Sequence, residues 1–303
     1  MAVLDEIQAS IRQLSEGAGP SVVGIGQRWG VGSGVVLAEG RVLTNAHNVR
    51  GDQVTVTFAD GRTAEGTVAG QDIDGDLAVI EVDTGGAPAL AWADGASAAI
   101  GAPVFALSNP GGRGLRVTFG FVSGIERAFR GPRGRRITGS LEHTAPLLPG
   151  SSGGPVLDTA GQLLGINTNR LGEGFYLALP ADGALRGRAD ALARGESAVS
   201  PRLGVTIAPG HVARRLRRAV GLPDTEGVLI RDVAEDSPAA RAGLAQGDLI
   251  VAAAGRPVST ADDLFDALQA AQGGTIELKL VHGTDERTLQ VAFGGDGQPG
   301  QEA

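Results

Sequence analysis

The segment Pro149-Gly150-Ser151-Ser152-Gly153-Gly154-Pro155 sets the first chemical expectation. A serine set among glycines suits a sharp turn, because the two glycines after it let backbone approach backbone. Gly150 frees an amide to point the same way as the amide of Ser152, and such a donor pair stabilises the tetrahedral oxyanion of acyl transfer. A serine hydroxyl becomes a nucleophile only beside a base that a third group orients. Of the four histidines, His47, His143, His211 and His282, the first sits in Val42-Leu43-Thr44-Asn45-Ala46-His47-Asn48-Val49, just after an apolar strand, where a side chain can be held rigidly. Asp76 stands at the mouth of Leu77-Ala78-Val79-Ile80, placed to accept an imidazole Nδ1–H and fix its tautomer. His47 as base, Asp76 as orienting acid and Ser152 as nucleophile therefore make a candidate triad. Ser151 is a second serine in the same turn, and register against Gly153-Gly154-Pro155 favours Ser152.

These residues need strands to hold them. Ser21 to Gly26, Gly32 to Leu37, Arg41 to Asn45, Gln53 to Phe58, Thr63 to Val68 and Asp76 to Val82 read as short strands between turns. Pro103 to Leu107, Val117 to Ser123, Ile137 to His143, Pro155 to Leu157, Leu163 to Thr168 and Phe175 to Leu179 continue the series. A dozen strands in about 160 residues fit two packed antiparallel barrels. Asp60-Gly61 is a hairpin signal of the type I′ kind. Leu4, Ile7, Ile11 and Leu14 recur at helical spacing, so residues 1–20 form an amphipathic helix that packs on its own domain or on a neighbouring subunit.

Residues 21–194 are expected to form the barrel domain, ending in a helix from Gly183 to Arg194. Residues 195–201 form a linker, 202–293 a second, smaller domain, and 294–303 a disordered tail. In the second domain Ser237 with Pro238 starts a helix and Gly243 stops it, while Thr260 and Asp263 make a capping box. Leu264, Ala267, Leu268 and Ala271 share the face of the helix that follows. Arg127, Arg130, Arg133, Arg135 and Arg136 read as a solvated loop tip, and Arg214, Arg215, Arg217 and Arg218 as the solvent face of a helix.

Composition excludes several classes. With no cysteine, neither disulfides nor thiolate zinc sites are possible. A net charge of −8 argues against nucleic acid or anionic membranes as partners. No run of 18 apolar residues and no basic start with an apolar stretch occur, so the expectation is a soluble cytoplasmic chain, or an exported one if a leader precedes it. The chemistry calls for no metal or organic cofactor.

The order His…Asp…Ser is that of the chymotrypsin-type triad. Gly32-Ser33-Gly34-Val35-Val36, Thr44-Asn45-Ala46-His47, Asp76-Leu77-Ala78-Val79 and Gly150-Ser151-Ser152-Gly153-Gly154-Pro155 together resemble the consecutive motifs of HtrA/Deg-type serine proteases over residues 20 to 180. Gly150-Ser151-Ser152-Gly153-Gly154 also satisfies the nucleophile motif of α/β-hydrolases. That fold needs a helix after the serine and a late histidine, where this chain has strand and turn. The fold class expected is thus mostly β, a two-barrel chymotrypsin-like protease domain followed by a small α+β PDZ domain. The resemblance implies an active site in the cleft between perpendicular barrels, with the amides of Gly150 and Ser152 as the oxyanion hole. It implies substrate-pocket walls at Pro146, Leu147, Leu148, Asn167 and Thr168, which offer no carboxylate for a basic P1 side chain, so aliphatic P1 residues are expected. The family usually has Asn where this chain has Ser151. Its loop entering the site carries Asp and Asn that His143-Thr144-Ala145-Pro146-Leu147-Leu148-Pro149 lacks, and that loop switches relatives between active and inactive forms. His143 reads as a residue of this loop and not as the base.

Arg202-Leu203-Gly204-Val205-Thr206-Ile207, Gly227 to Val233, Ser237 to Leu244 and Gly247-Asp248-Leu249-Ile250 resemble a PDZ domain of the HtrA arrangement. The resemblance implies that Leu203 and Gly204 capture a peptide C-terminus, that the peptide adds a strand to Val205, Thr206 and Ile207, and that Leu264 and Leu268 line the opposite wall. It implies an ATP-independent serine endopeptidase acting on unfolded or C-terminally exposed polypeptides through an acyl-enzyme, assembled as a homo-oligomer with a trimer favoured. The other function carried forward is a peptide-binding, chaperone-like protein with a dormant protease domain.

Overall fold

Short apolar runs punctuated by glycine leave the chain little choice but strands buried on both faces, and the computed structural model shows this. It describes residues 2–26, 31–93, 99–131, 135–196, 201–271 and 274–293. Arg133, residues 197–200 of the expected linker and the tail 294–303 lie outside the described residues. The chain divides into two compact units, Met1–Ala198 and Val199–Ala303.

The first unit opens with helix α1 (Ala2–Gly17). Strands β1 (Val22–Ile25), β2 (Gly32–Ala38), β3 (Arg41–Thr44), β4 (Gln53–Thr57), β5 (Thr63–Asp72) and β6 (Leu77–Glu81) close into a barrel in the order β1-β2-β3-β6-β5-β4. Strands β7 (Pro103–Ser108), β8 (Arg116–Arg130), β9 (Arg136–His143), β10 (Pro155–Leu157), β11 (Leu163–Arg170) and β12 (Tyr176–Pro180) close a second barrel, followed by helix α2 (Gly183–Ala193). Alternate side chains on these strands enter different cores. Val23, Ile25, Val36, Val42 and Ile80 cluster within the first barrel, and Val104, Ala106, Val122 and Val156 within the second. Their neighbours Val22, Val35, Leu43, Val79, Phe105, Leu107 and Leu157 join α2's Leu185 and Leu192 in one core shared by both barrels. Leu14 of α1 enters this core while Leu4 stays 71% exposed, so the helix packs on its own domain mainly through its last turns.

The barrels touch backbone to backbone. A Cβ on Gly24 would sit 2.0 Å from the amide of Gly112, and one on Gly153 2.0 Å from the carbonyl of Ser33. Any side chain at either position would push the barrels apart.

Strand β13 (Val205–Ile207), helix α3 (Gly210–Ala219), β14 (Val228–Val233), α4 (Pro238–Ala242), β15 (Asp248–Ala253), β16 (Arg256–Pro257), α5 (Ala261–Ala270), β17 (Thr275–His282) and β18 (Asp285–Ala292) make up the second unit. The sheet order is β13-β14-β15-β17-β18, with β16 beside β15, so β13 is an edge strand among the described residues. Ser237 Oγ caps α4 by accepting from the Ala240 amide at 3.1 Å, and Gly243 ends it in the left-handed conformation. The Thr260–Asp263 capping box of α5 is complete.

Several expectations change. β8 runs for 15 residues, twice the expected length, because it pairs with β9 as far as Arg130↔Arg136. Arg127, Arg130 and Arg136 are therefore hairpin strand residues and not a loop tip. Arg217 is buried, its guanidinium Nε donating to the Pro223 carbonyl at 3.2 Å, so α3 is not uniformly a solvent face. At Asp60-Gly61 only the glycine has positive φ, and the Gly61 amide bonds to the Phe58 carbonyl. That is a type I turn followed by a left-handed glycine, not type I′. His143 is the last residue of β9 and fully buried, not a loop residue.

Candidate active site

β3 ends at Thr44 and the chain turns through Ala46–Asn48, which sets His47 at the barrel rim with its side chain 35% exposed. Asp76 immediately precedes β6 and is buried, with its backbone in the left-handed region at φ 54. An aspartate tolerates that conformation better than most residues, and four hydrogen-bonding groups hold it there. The His47 ring Nδ1 lies 2.9 Å from both Asp76 carboxylate oxygens. The His47 amide donates to Oδ1 at 3.2 Å, and Thr168 Oγ1 donates to Oδ2 at 2.6 Å. Asn45 Nδ2 binds the Asp76 carbonyl at 2.9 Å. With two donors already on the carboxylate, the Nδ1 proton completes its shell. Nε2 is then the free nitrogen, able to accept a proton.

The serine turn of the second barrel is stitched to the first. The Ser33 amide and Asn48 Nδ2 both donate to the Ser152 carbonyl, at 2.8 and 2.9 Å, and Ser33 Oγ donates to the Gly150 carbonyl at 2.9 Å. Gly150 and Gly153 adopt φ of 88° and 87°, conformations that only glycine enters without strain. The Gly150 and Ser152 amides donate to no protein acceptor among the described residues, which leaves both free for an oxyanion.

The two serines differ. Ser151 is 2% exposed and its hydroxyl donates to Ser108 Oγ at 3.1 Å. Ser152 is half-buried, and its hydroxyl donates to the Thr168 carbonyl at 3.0 Å instead of to the imidazole. His47, Asp76 and Ser152 nevertheless line one cavity of about 460 Å³. Leu147, Leu148, Asn167 and Thr168 line it as well, whereas Pro146 does not. Phe129, Arg170 and Tyr176 are lining residues that carried no expectation, and Arg130, expected at a solvated loop tip, lines the cavity as well.

Behind this wall His143 Nε2 bonds to Asn167 Oδ1 at 2.9 Å, and the imidazole stacks on Tyr176 with 5.8 Å between ring centroids. Burial pushes its pKa down to about 4, and the Asn167 hydrogen bond opposes that only in part. It is thus neutral at physiological pH and lies outside the triad.

The structure reveals three residues whose part the sequence concealed: Ser33 and Asn48 join the barrels at the nucleophile, and Thr168 grips the acid. Ser33 sits in the singled-out Gly32-Ser33-Gly34 run, but nothing local says that its amide reaches a residue more than a hundred positions away.

In the second unit Gly204 has φ 79, and a Cβ there would lie 2.3 Å from that of Ser237. The Leu203 and Gly204 carbonyls accept from the Ala239 and Ala234 amides, at 2.9 and 2.8 Å, which fixes the loop before β13. Val205↔Val233, Thr206↔Asp232 and Ile207↔Ile230 pair β13 to β14 on one side only. Leu264 and Leu268 of α5 are buried in the same core as Leu203, with Val205 and Ile207 packed against it.

Among the described residues no cluster of side chains could hold a metal ion, and no helix is long and apolar enough to cross a membrane. Residues 32–166 match the trypsin-like peptidase domain family and residues 229–281 the PDZ domain family. The chain is 34% identical over 276 residues to a probable periplasmic serine endoprotease DegP-like of Halomonas elongata, covering 88% of this chain and 57% of that protein. It is 30% identical to the serine endoprotease DegS of Escherichia coli strain K12, covering 95% of this chain and 87% of that one. Among solved structures, an HtrA-type protease AlgW with decapeptide superposes with a TM-score of 0.72 at 25% identity, covering 95% of this chain and 99% of that chain. The serine endoprotease from Yersinia pestis gives 0.68 at 28%, covering 93% and 96%. Two closed barrels bearing this histidine, aspartate and serine, the PDZ match that follows them, and relatives similar along most of their length place the chain in the HtrA/Deg family of serine proteases.

Proposed function

We propose that the protein is an ATP-independent serine endopeptidase that hydrolyses unfolded or C-terminally exposed polypeptides through an acyl-enzyme. The observation that carries this is the His47 imidazole held on both Asp76 oxygens at 2.9 Å within the cavity that Ser152 lines. His47 Nε2 takes the Ser152 proton as the hydroxyl attacks the peptide carbonyl. Asp76 stabilises the imidazolium, and the Gly150 and Ser152 amides hold the oxyanion. The imidazolium then protonates the leaving amine, and water repeats the sequence on the ester. In the resting arrangement Ser152 Oγ is turned to the Thr168 carbonyl, so a rotation about its χ1 must precede attack. Apart from Asp76, which His47 occupies, no carboxylate lines the cavity among the described residues, which favours aliphatic over basic P1 side chains.

Residues 21–194 are assigned as the catalytic domain and 202–293 as the peptide-capturing domain. There a peptide carboxylate meets the Leu203–Gly204 loop and its strand adds to β13, with Leu264 and Leu268 behind. Tethering raises the local substrate concentration. The chain spans 57% of the Halomonas protein's length, so that protein's full activity is not carried over whole. The apolar Leu4 position of α1, exposed at 71%, supports contact with a neighbouring subunit, and a trimer is the assembly proposed. Light scattering of the purified chain tests it, and a monomer at micromolar concentration would overturn it. Fractionation of the native cell tests the cytoplasmic expectation, which an exported protein would overturn.

The catalytic test is cleavage of an unfolded casein without ATP. Wild type and Ser151→Ala should cleave, whereas Ser152→Ala and His47→Ala should not. Peptide binding by the wild type with no cleavage, at any concentration of an added C-terminal peptide, would leave the dormant, peptide-binding reading in its place.

A further inference from the structure

The first unit holds a second cavity, of about 880 Å³, walled by residues other than those of the catalytic one. That volume lies within the range of small-molecule sites. Two polar side chains in its wall have no partner among the described residues. Ser140 Oγ is fully buried and bonds to nothing. Asp74 is 6% exposed, and its carboxylate meets no hydrogen-bond or ion-pair partner among the described residues. A fully buried hydroxyl in the condition of Ser140 is rare in folded proteins and calls for an explanation. An outside donor to Asp74 and an outside group for Ser140 would supply one.

The rest of the wall carries charges of both signs. Gly183 and Ala184 open the eleven-residue helix α2 and line the cavity beside Asp182, whose carboxylate caps the helix by accepting from the Leu185 amide at 2.8 Å. Arg186 lines it too, its guanidinium 5.8 Å from the centroid of the Trp92 ring. Trp92, Ile137, Leu164 and Leu179 supply the apolar surface. The wall thus offers an acceptor for an ammonium, donors for a carboxylate and an apolar surface.

Position in the chain adds a consequence. Asp74 and Gly75 line this cavity, and Asp76 lines the catalytic one. The loop between them is anchored at Asp72, whose carboxylate accepts from the Gly75 amide at 2.8 Å and from Arg188 at 3.3 Å. A ligand that holds Asp74 restrains the loop that presents Asp76.

We propose that this cavity binds a small zwitterion with an apolar side chain, of the class of free amino acids and dipeptides, and that occupancy restrains the Asp72–Asp76 loop. The binding clause stands without any catalytic role, and the second clause rests on the proposed protease reading. Titration calorimetry of the full-length Ser152→Ala protein with leucyl-leucine tests the first. Binding should weaken about tenfold with N-acetyl-leucyl-leucine and in Asp74→Asn, since both remove a charge-assisted hydrogen bond. Ser140→Ala should weaken it about fivefold without lowering the melting temperature, because the hydroxyl it deletes has no partner, so it serves if Asp74→Asn does not fold. No binding, or binding indifferent to these three changes, as capture at the peptide groove of the second unit would be, overturns the site. For the second clause, saturating dipeptide should change the fluorophosphonate labelling rate of the wild type by at least about fivefold, the lower end of ordinary coupling between sites. Intact binding with an unchanged rate overturns the coupling alone.

Discussion

Acid should weaken the first unit through His143. Asn167 Nδ2 donates to the Gly154 carbonyl at 3.1 Å, so Asn167 Oδ1 is an acceptor and His143 donates to it from Nε2. The neutral ring therefore leaves Nδ1 unprotonated, and that atom is buried without a partner. A proton added there finds neither water nor an acceptor, which is why the pKa falls from 6.5 to about 4. The folded pKa lies below the unfolded one, so between these values the unfolded chain binds more protons. Stability from this group is full above about 6.5, falls as pH drops toward 4 and changes no further below it. The gap corresponds to about 3 kcal/mol in all, of which about 2 kcal/mol is lost at pH 5. His143→Gln keeps a donor for Asn167 and cannot titrate. Urea unfolding of both proteins at pH 7 and pH 5 reads the difference. Tryptophan fluorescence isolates the first unit, since Trp29 and Trp92, the two tryptophans, fall within residues 1–198. The destabilisation of the variant relative to wild type should shrink by about 2 kcal/mol at pH 5. An equal difference at both pH values would refute the burial argument.

Thr168→Val removes one donor from the buried Asp76 carboxylate while keeping the backbone carbonyl that holds Ser152. Hydrogen bonds to charged groups contribute about 2 kcal/mol, so fluorophosphonate labelling should slow by up to roughly 30-fold, with Thr168→Ser restoring it. A wild-type rate in the valine variant would mean that Asp76 does not depend on this contact. Gly204→Ala places a methyl 2.3 Å from the Ser237 Cβ at φ 79. It should abolish binding of C-terminal peptides, measured by fluorescence anisotropy, with casein-independent labelling of Ser152 unchanged. Thr260→Ala breaks the capping box of α5 and should cost the second unit about 1 kcal/mol in urea unfolding.

The barrels were legible because their strands are short, apolar and cut by glycine, and every expected strand of the first unit has a counterpart within a few residues, β8 apart in length. The excess in β8 comes from pairing with β9, a long-range effect that residues 124–130, rich in polar side chains, do not announce. The histidine, aspartate and serine were visible through their chemistry and their place at strand ends. The grip of Thr168 on Asp76 spans 92 positions and that of Asn48 on Ser152 spans 104, so no local pattern encodes either. Arg217 misled because its neighbours Arg214, Arg215 and Arg218 are exposed, whereas its own stem turns inward to cap the chain at Pro223. His143 misled because it is the strand's final residue, next to a turn rich in proline and leucine. Local sequence does not distinguish a buried strand end from the start of a loop.

Mass-spectrometric mapping of the adduct formed by a fluorophosphonate reaches the central claim directly, that the His47 ring activates the half-buried serine of the Gly150–Gly154 turn. A single adduct on Ser152, lost in His47→Ala and undiminished in Ser151→Ala, is the result predicted. An adduct on Ser151, or labelling of Ser152 that proceeds at the same rate without His47, would contradict it.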